Sequence, residues 1–146
     1  MLIIEIVSFR PLDYDAVTAL WRESEGLTLR DADSREAITR YLARNPGLSF
    51  VARDDGQLVG AVLAGTDGRR GYLQHLAVAR SHRRQGLGRA LAARAVEALK
   101  ALGIAKCHLM VRQDNAQVRS FWARLGWTER NDITLMSHTD PDATNV

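Results

Sequence analysis

A basic loop with two glycines, set between an apolar strand pattern and a long amphipathic segment, carries the clearest chemistry in this sequence. The stretch 73–88 reads LQHLAVARSHRRQGLG. Gly86 and Gly88 have no Cβ, so an anion can approach the backbone, and a helix starting here directs free N–H groups at it. Three arginines add forked donors and positive charge: Arg83, Arg84 and Arg89. These residue types, in this order, predict a phosphate-binding strand–loop–helix unit.

The spacing Arg83-x-x-Gly86-x-Gly88 differs from two better-known phosphate motifs. The chain has no G-x-x-x-x-G-K-[ST], so it is not a P-loop protein. It also lacks G-x-G-x-x-G followed by an acidic residue about 20 positions later, which argues against a dinucleotide fold. An ordinary β–α turn with surface arginines is one alternative, and a nucleic-acid contact is another. No recognition-helix or RNA-binding signature accompanies the arginines, so nucleic acid is not expected as a partner.

Hydrophobic periodicity places this unit in a chain of mixed strands and helices. Alternating runs predict seven strands and i, i+3, i+4 stripes predict four helices, in the order β-α-α-β-β-β-α-β-α-β-β. The predicted strands cover 2–10, 48–53, 58–65, 71–78, 106–112, 127–130 and 133–137. The turn at 54–57 predicts a hairpin in which Gly56 has a positive φ. The predicted helices follow Asp13, follow the cap Asp33-Ser34, span 87–102, and follow Asp114-Asn115. The crossover before the fifth strand is long enough to make that strand parallel to the fourth.

Composition limits the class of protein. The 146 residues are 46% hydrophobic and 25% charged, as in a single globular domain, which we predict at 1–137 with a polar tail at 138–146. The single cysteine, Cys107, excludes an intrachain disulfide, and no Cys/His spacing indicates a metal site. The N-terminus is too short and polar for a signal peptide or membrane span, so we expect a cytoplasmic protein without a membrane partner. The composition also permits a homodimer.

Two motifs together resemble one family. Arg83-x-x-Gly86-x-Gly88, after a strand ending Leu76-Ala77-Val78, resembles the acetyl-CoA signature of the GNAT superfamily of N-acetyltransferases. The segment from Asn115 to Trp127 resembles the second motif of that family. The similarity covers nearly the whole chain and is greatest to small bacterial single-domain members, near the ribosomal-protein-acetylating and YpeA-like groups. It implies an α/β (α+β) GNAT fold: a mixed central sheet of about seven strands, four helices on both faces, and splayed fourth and fifth strands.

The resemblance implies a role for each matching position. Backbone groups of Leu76, Ala77 and Val78 would pair with the pantetheine arm of acetyl-CoA, and the Val78 N–H would stabilise the oxyanion. Asn115 would hydrogen-bond the pantetheine or, as asparagine commonly does, cap the helix. Trp122 would wall the thioester pocket. The pyrophosphate would be wrapped by the loop residues Arg83, Arg84, Gln85, Gly86, Leu87, Gly88 and Arg89.

The sequence departs from the family at the acid and the base. The tyrosine that usually protonates the thiolate is replaced by Trp122, and the glutamate base of the ribosomal-protein branch is replaced by Met110. Polar candidates on the fourth strand are Tyr72 and His75, and alternation puts Tyr72 and Gln74 on one face and His75 on the other. A histidine such as His75 can take up a proton near neutral pH, as a general base must. A histidine in a strand is, however, commonly a packed structural residue.

These observations predict an acetyl-CoA-dependent N-acetyltransferase. It would move the acetyl group to a primary amine by direct attack, with a small molecule, a protein N-terminus or a lysine as the acceptor. The departures at Trp122 and Met110 keep a second interpretation open, a CoA-binding module of the same fold with little or no transferase activity.

Overall fold

The computed structural model describes residues 4–146, so the first two residues of the predicted strand at 2–10 lie outside the described part of the chain. The fold divides into two compact units at residues 109 and 110. The first unit holds the sheet and three α-helices, and the second holds one further α-helix.

The first unit is built on a five-stranded mixed sheet in the order β1-β2-β3-β4-β5. Neighbouring strands are antiparallel except β4 and β5, which are parallel as the crossover length predicted. The strands are β1 (Ile4–Ser8), β2 (Phe50–Asp54), β3 (Gln57–Thr66), β4 (Gly71–Val78) and β5 (Cys107–His108). The helices are α1 (Tyr14–Glu23), α2 (Arg35–Arg44) and α3 (Leu87–Ala101). The predicted hairpin joins β2 to β3, and Gly56 has the expected positive φ of 82°.

Helices cover both faces of this sheet. Ala61 and Leu63 of β3 are buried with residues of α1 and α2 in one core cluster. Their neighbour Gly60 faces the other way, because a Cβ placed on it would lie 2.9 Å from Leu91 Cδ1 of α3. Successive residues of a strand point to opposite faces, so α1 and α2 cover one face and α3 the other.

The second unit is organised around a small aromatic cluster. Its helix α4 (Ala116–Arg124) begins at Asn115, whose Oδ1 accepts a hydrogen bond from the Val118 amide at 3.1 Å. Trp122 is buried and packs edge-to-face on Phe121 and Trp127, with ring centroids 5.1 and 5.2 Å apart. The hydrogen bond from the Val118 amide confirms the predicted cap at Asn115.

The prediction of about seven strands was wrong, because the structure has five among residues 4–146. The fifth predicted strand, 106–112, is reduced to Cys107–His108, and no strand forms at 127–130 or 133–137. The last of these segments carries apolar side chains, but Leu135 and Met136 are 72% and 88% exposed. Alternation of apolar and polar residues predicts a segment with one apolar face. A strand also needs a neighbouring backbone to hydrogen-bond with, and the alternation does not show whether one is present.

Candidate active site

A bulge in β4 sets the geometry of the site. Ala61 of β3 pairs with Ala77, but Leu63 pairs with Gln74, so β4 has one more residue than β3 over this stretch. The extra residue is absorbed at His75, whose φ of 52° lies in the left-handed region that few side chains adopt. The bulge therefore reverses the alternation of side chains along the second half of β4.

The reversal corrects the predicted orientation of His75. Tyr72 and Gln74 line a cleft with Tyr41 of α2, so they lie on the α1/α2 face. Alternation put His75 on the opposite face, but its ring contacts Trp21 of α1, with centroids 5.0 Å apart. His75 therefore shares a face with Tyr72 and Gln74, because its left-handed backbone turns the side chain back.

Two residues distant in sequence fix His75. Its Nε2 lies 2.8 Å from Oδ1 of Asp33, a residue in the 3-10 turn Asp31–Asp33 before α2. The indole N–H of Trp21 donates to the His75 carbonyl oxygen at 3.1 Å. Asp33 is buried, and the His75 side chain is 23% exposed. The result is a histidine–carboxylate pair beside the bulge that is still partly open to solvent.

The end of β4 has an edge that β5 does not cover. β5 pairs only with Gly71 and Tyr72, which leaves the rest of β4 without a partner strand on that side among residues 4–146. The Ala79 amide donates to the Val59 oxygen of β3 at 2.8 Å, so the backbone polar groups of its neighbour Val78 point away from β3. The Val78 oxygen accepts from Arg83 Nε at 3.0 Å on that outer side. The Val78 N–H is therefore directed outward, past the end of the short β5.

The loop after β4 ends in a helix N-terminus suited to an anion. Gly86 is the N-cap residue of the 15-residue α3 and has a φ of 79°. Ala90 makes the first amide bond of the helix, to the Gly86 oxygen, so the amides of Leu87, Gly88 and Arg89 have no acceptor within the helix. A Cβ placed on Gly86 would have no atom within 4 Å. The start of α3 therefore combines three features that favour an anion, as the sequence predicted: open space at Gly86, the positive end of the helix dipole, and amides without an acceptor in the helix.

The loop arginines fall into two groups. Arg84 and Arg89 have no ion-pair partner among residues 4–146. Arg80 and Arg83 both pair with Glu25, which follows α1. A backbone hydrogen bond, the Arg80 side chain and the charge of Arg83 hold the pKa of the Glu25 carboxyl below its ordinary value. The arrangement leaves two arginines available to a phosphate and ties two to the end of α1.

A second histidine–carboxylate pair anchors the loop itself. His82 Nε2 lies 2.7 Å from Asp54 Oδ2, and its Nδ1 lies 2.7 Å from the Ser81 hydroxyl. Asp54 ends β2, so this contact fastens the loop between β4 and α3 to the β2–β3 hairpin.

The remaining candidate residues lie elsewhere. Tyr72 is six residues before Val78, about 20 Å along an extended strand, and its hydroxyl lies 3.4 Å from Asp67 Oδ2. It lines a cleft of about 270 Å³ with Tyr41, Arg44, Asn45, Gly65, Thr66, Asp67 and Gln74. Asn115 and Trp122 belong to the second unit, where they have the contacts already described. The structure thus groups His75 with Leu76, Ala77 and Val78 and sets Tyr72 at the other end of β4.

Sequence reasoning missed the partners of Asp33 and Glu25, which are His75 and Arg80. Asp33 is 42 residues from His75, and Glu25 is 55 residues from Arg80, so neither pairing leaves a local pattern. One signal was present: Arg10-x-x-Asp13 and Arg30-x-x-Asp33 are copies of one turn, in which the aspartate accepts a hydrogen bond from the arginine amide at 3.0 Å. The repeat marks two buried aspartates of equivalent geometry.

These residues fit coenzyme A, whose phosphates need hydrogen-bond donors and positive charge. The amides at the start of α3 supply donors, Gly86 leaves the approach to them open, and Arg84 and Arg89 supply charge. The profile of the Acetyltransferase (GNAT) family matches residues 14–127. The chain belongs to the GNAT family. An acetyltransferase of Pectobacterium atrosepticum is 38% identical over 131 residues, which cover 90% of this chain and 92% of the relative. This GNAT protein is an acetyl-CoA-dependent N-acetyltransferase, and acetyl-CoA is its cofactor.

Solved structures confirm the GNAT fold. A PaiA N-acetyltransferase of Thermoplasma acidophilum, in complex with coenzyme A, has a TM-score of 0.75 and 22% identity, covering 84% of this chain and 87% of that one. The ribosomal-protein-S18-alanine N-acetyltransferase of Escherichia coli has a TM-score of 0.73 and 23% identity, covering 88% and 80%. At this identity the likeness concerns the fold alone. Within residues 4–146, no helix has the length and apolar character that crossing a membrane requires.

Proposed function

We propose that this protein acetylates a primary amine by direct attack of the amine on acetyl-CoA, with His75 as the general base and the Val78 N–H as the oxyanion donor. The observation that carries the proposal is the His75–Asp33 pair beside the bulge of β4, on the strand whose outer edge carries the Val78 amide. Position 110 holds methionine where the ribosomal-protein branch has its glutamate base, so the proposal needs another base, and His75 is the candidate.

The helix α3 and the edge of β4 would hold the cofactor. The amides of Leu87, Gly88 and Arg89, with Arg84, would bind the pyrophosphate, and Leu76, Ala77 and Val78 would pair with the pantetheine. Arg83 now bonds the Val78 oxygen and Glu25, so it would have to exchange partners when the pantetheine pairs there.

When bound, acetyl-CoA supplies an acetyl group activated as a thioester. His75 would take a proton from the attacking amine, directly or through one water, so that the nitrogen can bond to the carbonyl carbon. The Val78 N–H would stabilise the negative charge on the carbonyl oxygen. The imidazolium of His75, or water, would then give a proton to the thiolate that leaves with the electron pair of the broken carbon–sulfur bond. An ordinary thiol has a pKa of about 8.5, so a dedicated acid is not required near neutral pH.

We assign the body of the acceptor to the cleft beside Tyr72 and Gln74, from which its amine would extend along β4 to His75 and the Val78 N–H. The cleft opens on the α1/α2 face that also carries His75. It contains charges of both signs, Arg44 and Asp67, and a backbone hydrogen bond to Asp67 from Arg70 lowers the pKa of its carboxyl. A polar amine is therefore the expected acceptor, whether it belongs to a small molecule, a protein N-terminus or a lysine.

The variant that tests the base is His75→Asn. Asparagine tolerates the left-handed backbone better than most residues, so the bulge should persist while the imidazole is lost. We expect coenzyme A affinity by calorimetry to be unchanged and the transfer rate, followed by intact mass on an amine and peptide panel, to fall about 10²–10⁴-fold. His138→Asn, at an exposed position after the last helix, is the control and should keep its rate. Transfer by His75→Asn within threefold of the parent would refute the role of His75.

A further inference from the structure

We propose that Asp33 is a positioning residue that fixes His75 in the tautomer with hydrogen on Nε2, so that Nδ1 presents its lone pair to the acceptor amine. The proposal rests on the role of His75 as the base. It extends that role to a residue of the turn before α2, 42 positions away in the chain.

The carboxylate of Asp33 is held by contacts on both of its oxygens. Oδ2 accepts the Arg30 amide at 3.0 Å and Oδ1 faces His75 Nε2 at 2.8 Å. The Asp33 carbonyl oxygen accepts the Tyr14 hydroxyl at 2.7 Å, which fastens the turn to α1. Asp33 is only 9% exposed, so water does not compete freely for Oδ1. The atom that faces the imidazole is therefore always Oδ1, and it is held in one position.

This contact selects one tautomer of the neutral imidazole. An ionised carboxylate only accepts hydrogen bonds, so Nε2 must carry the hydrogen at 2.8 Å. Nδ1 then has the lone pair that can take a proton. The edge-to-face contact with Trp21 limits rotation of the ring, since the same indole also donates to the His75 carbonyl oxygen. Tautomer and orientation are thus set by α1 and the turn before α2.

Asp33→Asn should reverse this selection. The Arg30 amide is a donor, so it favours the asparagine rotamer that places the side-chain oxygen where Oδ2 lies. The amide nitrogen of the asparagine then faces His75 Nε2 as a donor, and Nε2 must become the acceptor. The hydrogen moves to Nδ1, where it removes the lone pair that the reaction needs. The substitution keeps the shape of the turn and changes only which nitrogen is basic.

The chain provides a matched control in the first copy of the turn. Asp13 is also buried and accepts the Arg10 amide at 3.0 Å, but its other oxygen pairs with Arg53. Asp13→Asn makes the same chemical change at an equivalent turn that contacts no histidine ring. It should lower stability without changing the transfer rate of the folded enzyme.

The experiment combines nitrogen NMR of the histidine side chains with kinetics on the full chain. Spectra of the parent should show His75 protonated on Nε2, and spectra of Asp33→Asn should show it protonated on Nδ1. The kcat of Asp33→Asn should fall roughly 10–100-fold, with the KM for acetyl-CoA unchanged. Adding Asp33→Asn to His75→Asn should produce little further loss, because both changes remove one function.

Each outcome decides one of the two proposals. A parent spectrum with hydrogen on Nδ1 would overturn the role of Asp33 without any variant. A reversed tautomer with an unchanged kcat in Asp33→Asn, while His75→Asn is still slow, would also overturn it and leave the base standing. Unchanged rates in both variants would instead remove His75 from the mechanism. An equal loss in Asp13→Asn would show that the effect is one of folding.

Discussion

Replacing Gly86 by valine should weaken coenzyme A binding while leaving the fold intact. Gly86 has a φ of 79°, and a Cβ there would meet no atom within 4 Å, so the cost to the free protein is conformational and not steric. A side chain in the left-handed region costs about 1–2 kcal/mol, which corresponds to a decrease in Tm of roughly 3–6 °C for a domain of this size. The protein should therefore still fold at 25 °C.

The effect on binding follows from the free amides at the start of α3. The new side chain would occupy the open space through which a phosphate approaches the amides of Leu87, Gly88 and Arg89. Loss of one hydrogen bond to a charged group costs about 1.5–3 kcal/mol, so the Kd for coenzyme A should rise about 10–150-fold. Isothermal titration calorimetry on the purified variant measures this change.

Gly103 is the matched control, because it lies at the opposite end of the same helix. Its φ is 83°, and a Cβ there would also have no atom within 4 Å. Gly103→Val should therefore lose a similar amount of stability and keep the parent affinity. Equal affinities in the parent and in a folded Gly86→Val would refute the assignment of this loop to the cofactor. An equal loss of coenzyme A affinity in Gly103→Val would show that the effect comes from a less stable helix.

Two further predictions concern aromatic residues. Trp122 packs between Phe121 and Trp127, and we expect only the bulk of its ring to be used. Trp122→Phe should then keep the transfer rate within about tenfold, and Trp122→Tyr should equal or exceed the parent in the same assay. A loss above a hundredfold in a folded, coenzyme A-binding Trp122→Phe would mean that the indole N–H acts directly. Burial raises the pKa of Tyr41 to about 12 from an ordinary 10.0, so the unfolded chain loses this proton first and stability should fall between pH 10 and 12. Ultraviolet titration should show a late phenolate step that Tyr41→Phe removes, and persistence of that step in the variant would exclude Tyr41 as its source.

The sequence by itself determined the features that depend on neighbours in the chain. The order of strand, basic loop and helix at 71–102 was readable because glycine spacing and a helical stripe are local signals. The positive φ of Gly56 and the caps at Ser34 and Asn115 were predicted for the same reason, since a turn or cap involves residues three or four apart. The cofactor followed from these local patterns and the family resemblance they carry.

Only the tertiary structure decided how the candidate catalytic groups meet. The bulge that turns His75 toward Trp21 depends on a register difference between β3 and β4, and the partner of His75 is 42 residues away. The predicted strands at 127–130 and 133–137 did not form, because alternation specifies a face and not a hydrogen-bonded neighbour. Pairings of this kind are set by the packing of whole elements, and a linear pattern of residue types does not contain them.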